Sequence, residues 1–271
     1  MAATRGSCFI GLVCLAALSA CATAPVGTSV PIPGLRQELD EGAAAWFFNA
    51  TSALQLSYGQ QDWFLKLSQG LRAESEPVKV ARRELLGLLL EGMEAGTFDD
   101  GRIAAAVQKI IVTAEARGPA VVEALTQLHE GLNPTQRQTI ASTVLQGLHS
   151  QAAQPAGERD QLQKRINGLT QGISLTAEQS AQIRTRITDS FHSYAPDLQQ
   201  EAERRRKQFG GLSQGFASIY FQPEVANVTT AWDVQSKSER LVAFFRALTA
   251  ILTPAQRQQV AARIRQRNSI D

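Results

Sequence analysis

Beyond residue 21 the chain has no cysteine, since all three, Cys8, Cys14 and Cys21, fall in its first 21 residues. A disulfide framework and a thiolate zinc site are therefore excluded from the remaining 250, which packing must hold together. Histidine is scarce as well. His129, His149 and His192 include no pair at the i, i+3 or i, i+4 spacing that shares a helix face, so no metal-ligand set is expected. Neither a phosphate loop nor a dinucleotide fingerprint occurs, and no cofactor is expected. After residue 20 no apolar run approaches the length of a membrane span. Without the first twenty residues the balance is 26 Lys/Arg against 25 Asp/Glu, or +1, which argues against nucleic acid as a partner. One catalytic signature does occur, Gly211-Leu212-Ser213-Gln214-Gly215, which fits the G-x-S-x-G elbow of serine hydrolases. That elbow needs a preceding strand and a later histidine; a polar helix is expected before it, and every histidine comes earlier. No catalytic residue is assigned, and the glycines read as a loop ending a helix. Asn49-Ala50-Thr51 and Asn227-Val228-Thr229 match glycosylation sequons without any further sign of modification.

What the chain does have is one pentapeptide shape four times over: Leu56-Ser57-Tyr58-Gly59-Gln60, Leu132-Asn133-Pro134-Thr135-Gln136, Leu175-Thr176-Ala177-Glu178-Gln179 and Leu252-Thr253-Pro254-Ala255-Gln256. Each is a helix start. Ser57, Asn133, Thr176 or Thr253 at the N-cap accepts a bond from an orphan backbone N–H, and Gln60, Gln136, Gln179 or Gln256 three residues later reaches back to the cap. Pro134 and Pro254 occupy the first helical position, where a missing N–H costs nothing. One such box is commonplace in soluble helices. Four at matched separations, 76 and 77 residues within each half and 119 and 120 between halves, indicate a tandem duplication.

Residues 1–20 read as an export signal: Arg5, then a nearly continuous apolar stretch from Phe9 to Ala20 that is too short to span a bilayer. Leu18-Ser19-Ala20-Cys21 resembles the lipobox of bacterial lipoproteins, which implies a lipidated Cys21 as the mature N-terminus and membrane contact through that anchor. The non-acidic Ala22 after it points to the outer membrane, facing the periplasm. Residues 21–34, rich in small residues and containing Pro25, Pro31 and Pro33, form a tether.

The first unit is assigned to residues 35–150. A lead-in helix carries Leu39, Trp46 and Phe47. The first capped helix is expected to be interrupted at Pro77 and to resume through Val80, Leu85, Leu88 and Leu89, with a break from Gly92 to Phe98. A further helix from Asp99 is kinked or divided at Gly118-Pro119, and the last begins at Asn133. Residues 151–172 are a linker with a possible short helix. The second unit, 173–271, repeats the plan: Pro196 lies 21 residues after Leu175, as Pro77 lies 21 after Leu56, and Phe221-Gln222-Pro223 stands where Phe98-Asp99-Asp100 stood. Its polar helix is expected to end near Gly210-Gly211. The fold class is all-α, with Ser218 to Phe221 the only short candidate for a strand.

A cap motif, a long helix broken at a proline, a Phe-bearing turn, another helix and a second LTPxQ cap together resemble the Spy/CpxP family of periplasmic helical proteins. The likeness is strongest over Phe98 to Ile140 and Leu175 to Arg267. Members of that family form cradle-shaped antiparallel dimers and act as ATP-independent chaperones or as envelope-stress regulators that restrain a sensor kinase. The resemblance thus implies unfolded envelope proteins, or a sensor-kinase periplasmic domain, as partners. This chain departs from the family in its anchor, its two units and its looser first and second motifs; fusion would let one chain form the cradle that others make from two.

Two charge features bear on that reading. Residues 35–150 hold 10 Lys/Arg against 14 Asp/Glu, a balance of −4, while residues 173–271 hold 13 against 9, a balance of +4. Complementary docking of the halves and two ordinary solvated surfaces both fit those totals. Arg204-Arg205-Arg206-Lys207 followed by Phe209 is the local candidate for gripping a client, and equally fits cations complementing a helix C-terminus.

Overall fold

A computed structural model describes residues 43–152, 168, 170, 172–223 and 231–268. Among these the regular structure is helical, with no strand even at 218–221. The helices are α1 (Ala43–Ala50), α2 (Tyr58–Ala95), α3 (Asp100–Ala116), α4 (Gly118–Glu130), α5 (Pro134–Ala152), α6 (Ala177–Ala217), α7 (Ala231–Ile251) and α8 (Pro254–Asn268), with a 3-10 turn at Thr51–Ala53 after α1. The signal, Cys21, the tether, Leu39 and nearly all of the 151–172 linker lie outside the described residues.

Two helices set the dimensions. At 1.5 Å per residue, α2 with 38 residues and α6 with 41 extend for roughly 57 and 62 Å. Pro77 does not interrupt α2, contrary to the sequence reading. The proline removes one backbone donor, yet a buried row of Phe64, Ser68, Leu71, Ser75, Val78, Ala81, Leu85 and Leu89 continues through it at spacings of three and four. Burial on both sides outweighs the lost bond, and Ser75 Oγ donates to Leu71 O at 2.7 Å beside the site. For the same reason α6 does not stop at Gly210-Gly211. Phe209, Leu212 and Phe216 are buried on one face across the glycines, and the helix runs on to Ala217. The true end of α2 is Gly96, whose φ of +80° gives the left-handed cap that glycine adopts without strain. Arg117 and Gly118-Pro119 divide α3 from α4.

The halves do not form separate bundles. One core gathers the C-terminal part of α2 (Val78 to Met93), Ile103, Ile110 and Ile111 of α3, Ile173, Ile183 of α6, Val234 to Leu248 of α7, Leu252, and Val260 and Ile264 of α8. The other gathers α1, Phe64 and Leu71 of α2, Leu125 and Leu128 of α4, Leu132, Ile140 and Val144 of α5, and Phe209, Leu212 and Phe216 of α6. Each long helix thus begins in the core of its own half and ends in the core of the other. We call the first the aliphatic end and the second, for its rings, the aromatic end.

Length differs between the two helices in a way that spares this arrangement. Phe98 follows Pro77 by 21 residues and Phe221 follows Pro196 by 25. Four extra residues are close to one helical turn, so the buried face of α6 returns nearly to register.

Candidate functional site

The four pentapeptides come together in pairs, one pair at each end. In every copy both bonds of the capping box form. Cap N–H groups donate to the glutamine Oε1 at 3.1 Å for Ser57, 3.1 Å for Asn133, 3.0 Å for Thr176 and 2.9 Å for Thr253. The glutamine N–H groups donate back to the cap side chains at 3.3, 2.9, 3.0 and 3.4 Å.

The rest of each amide binds its opposite number. At the aromatic end Gln60 Nε2 donates to Gln136 Oε1 at 3.1 Å, and Gln136 Nε2 donates to Gln60 Oε1 at 3.3 Å. At the aliphatic end Gln179 and Gln256 do the same at 2.8 and 3.1 Å. The second hydrogen of each Nε2 goes to a carbonyl two residues before the partner's cap: Gly131, Gln55, Ile251 and Ser174, at 3.2, 3.3, 3.0 and 2.7 Å. Both donors and both lone pairs of all four amides are used. A glutamate could serve the capping box but offers no hydrogen to a partner, so this clasp requires glutamine. The leading leucines close it from beneath: Leu132 and Leu252 are buried, and Leu56 and Leu175 pack against the same cores.

Around each clasp the halves meet by different chemistry. At the aliphatic end, carboxylates of the first half meet guanidinium groups of the second. Arg265 grips Glu94 through two bonds, at 2.5 and 2.8 Å, and Arg246 pairs with Asp100 while lying 5.9 Å from the centre of the Phe98 ring. Both of these ion pairs have the sense expected from the opposite charges of the two halves. The hydrogen bond from Arg265 holds the Glu94 carboxyl below its ordinary range, partial burial opposes that, and the positive charge of Arg265 adds to it.

At the aromatic end the junction is ring on ring. Phe47 lies 4.8 Å from Phe216, Phe48 5.2 Å from Phe64, and Trp46 6.5 Å from Phe209. His129 is edge-on to Phe216 at 5.4 Å and stacks on Phe221 at 5.0 Å, with its Nε2 2.8 Å from Ser218 O. Trp63 lies over Gly131 and Trp46 over Gly147, where a Cβ would collide with the indole. Phe48 with Phe64, Trp63 with Gly131 and Trp46 with Gly147 lie within the first half; the contacts that join the halves, Trp46 to Phe209, Phe47 to Phe216, and His129 to Phe216, Phe221 and Ser218, had no local signal in the sequence.

Of the basic run, Arg204, Arg206 and Lys207 are exposed on α6, while the side chain of Arg205 lies outside the described residues. Phe209 corrects the sequence reading. It is 5% exposed and packed against Trp46, because its position puts it on the inner face with Leu212 and Phe216, so it offers nothing to a client at the surface. Ser213 is fully buried inside α6, with helix on both sides of it instead of the exposed strand-to-helix turn that a nucleophile elbow needs. His129 is buried in the aromatic end; the side chains of His149 and His192, like Cys21 and Asn227, lie outside the described residues. Among the described residues no group of His, Cys, Asp and Glu could hold a metal, and no helix is long and apolar enough to cross a membrane.

No family model, curated protein or solved structure matches the chain.

Proposed function

We propose that the protein is an envelope lipoprotein, anchored through Cys21, whose two interlocked LTxxQ units bind partly unfolded or amphipathic proteins without nucleotide. The observation that carries this reading is the pair of glutamine clasps, joined by long helices that each end in the other half's core. It is what fusing an antiparallel pair of Spy/CpxP-like units into one chain would produce, and it favours the chaperone activity that such pairs support. In this reading the duplicated motifs are architectural, and clients meet the outer faces of the long helices.

A second reading is favoured by the surface itself. Among the described residues the exposed large hydrophobic side chains are Tyr58, Leu65, Val80, Val112, Ile219 and Tyr220, spread over α2, α3 and the turn after α6. So sparse an apolar surface suits a regulator or structural binding protein docked to one folded partner, such as a sensor-kinase periplasmic domain, better than a general holdase. Light scattering separates the two. Two unrelated chemically unfolded proteins are diluted into buffer with the mature chain carrying Cys21→Ser, at low and high salt and without nucleotide. A chaperone suppresses the aggregation of both near stoichiometric amounts, less so at high salt; a chain that protects neither is the regulator.

A further inference from the structure

We propose that the aromatic end docks on an anionic phospholipid bilayer through the outer face of the last third of α6 and the turn that follows it. The proposal rests on the reading of Cys21 as a lipid anchor.

Lys207, Gly211, Gln214 and Ser218 are all exposed and recur at spacings of four, three and four, a single stripe along the helix. Phe209, Leu212, Ser213 and Phe216 are buried on the opposite side, so this stripe faces away from the protein. Gly211 stands in the middle of it, next to Gly210, and a Cβ added at either would meet nothing within 4 Å. Glycine weakens a helix interior, and none of the described residues needs the space. What two side-chain-free positions in an exposed helix do permit is the close approach of a surface from outside.

The chemistry of the stripe selects that surface. From residue 204 to 223 the sequence has four cations, Arg204 to Lys207, and no acid, although Glu203 is exposed just before them. The stripe ends in Ile219 and Tyr220, 77% and 84% exposed, an apolar side chain and an amphipathic ring of the kind that settles at a membrane interface. Tyr58, 92% exposed, caps the same end of the molecule. Cations, then small residues, then Ile-Tyr at the tip match a surface of anionic headgroups over acyl chains better than they match a folded protein.

Position in the chain points the same way. α1 is buried in the aromatic end, its Trp46 against Phe209 of α6, so the chain that leads back to Cys21 leaves from there. Twenty-one residues lie between Cys21 and Ala43, and such a tether reaches no more than roughly 75 Å even fully extended. An anchored protein would therefore hold this face at high effective concentration beside the bilayer.

The test is co-sedimentation of the mature chain carrying Cys21→Ser with phosphatidylethanolamine vesicles containing 30% phosphatidylglycerol, and with phosphatidylcholine vesicles. Binding to the anionic vesicles is expected to be at least ~5-fold tighter and to weaken with salt. The pairs Ile219→Ser/Tyr220→Ser and Arg206→Glu/Lys207→Glu should each reduce it several-fold, with the helical circular dichroism and its melting unchanged. Equal binding to both vesicle types, or pairs that bind as the parent does, would overturn the proposal. So would pairs that keep vesicle binding and lose capture of an unfolded protein, since the face would then serve clients. Radiolabelled palmitate incorporation by the full chain with Cys21 and with Cys21→Ser tests the anchor separately: absence of label removes the anchor, while the vesicle result still decides the face.

Discussion

The two ends share a clasp and differ in almost everything laid around it. At the aliphatic end Leu, Ile and Val make up most of the core around one fully buried ring, Phe245, and two ion pairs with carboxylates from the first half and guanidinium groups from the second stand at its rim. At the aromatic end five buried phenylalanines from α1, α2 and α6 stand among leucines, with Trp46 and Trp63 packed against them, and α1 is an added element with no described counterpart opposite. The pattern of amide bonds is the part that repeats donor for donor. Fixing helix starts against one another is a local geometric task with one solution here, whereas filling the space beneath admits several.

Core truncations give the largest expected contrast. Phe216 touches Phe47, His129 and Phe221 and is fully buried, so Phe216→Ala should cost about 3–5 kcal/mol; Leu89→Ala at the other end should cost about 2–5. Because both long helices cross both cores, urea unfolding of either variant should remain a single transition followed by circular dichroism and by tryptophan fluorescence. With the third tryptophan, on α7, replaced by Trp232→Phe, Trp46 and Trp63 report the aromatic end, and two separated transitions would show that the ends are independent.

Matched glycines sharpen the comparison by sign. Gly92 and Gly215 each precede a turn phenylalanine by six residues. A Cβ at Gly92 would lie 2.5 Å from Phe98 Cδ1, whereas one at Gly215 would make an ordinary contact 3.8 Å from Phe221. Gly92→Ala should therefore destabilise by about 1–3 kcal/mol through overpacking, and Gly215→Ala should stabilise by about 0.5–1 kcal/mol through helix propensity. Thermal melts of the pair suffice, and equal shifts would mean that the ends are packed alike.

The clasps should respond equally. Gln136→Glu and Gln256→Glu each keep the capping acceptor and lose two donated bonds, for an expected loss of about 1–2 kcal/mol at either end. A double-mutant cycle between Gln179 and Gln256 should give a coupling of at least about 0.5 kcal/mol; additivity would mean that the amides merely sit side by side.

The smallest effect belongs to pH. Glu94 is held below the ordinary carboxylate value of 4.5 by Arg265, so its contribution is present in full above that value and is lost as pH falls through the lower folded-state value. Arg265→Gln should flatten the acid limb of stability by less than about 1 kcal/mol, the pair being partly solvated. An acid limb that the substitution leaves unchanged would remove this ion pair from the account of the aliphatic end.

How much of this was legible in the sequence depended on range. Capping boxes are bonds between residues three apart, so Ser57 and Gln60 could be recognised at once. The second use of each glutamine, on a partner 76 or 77 residues away, has no local mark beyond the equal spacings. Pro77 and Gly210-Gly211 were misread because local propensity speaks of an isolated helix, and here burial on either side decided. Phe209 beside four cations looked like an exposed anchor, yet its phase with Leu212 and Phe216 already placed it inside. The exchange of core between halves was invisible, since a buried leucine does not say which core it joins.

That exchange governs the order in which the chain can become protein. Glu94 waits for a residue 171 positions later, and Asp100 for one 146 positions later. Leu85, Leu89 and Met93 have no complete shelter until residues 234–264 exist. A chain made from its N-terminus is therefore expected to carry half of a finished surface for most of its synthesis, and to become resistant to proteases only once residues 234–264 have joined the core.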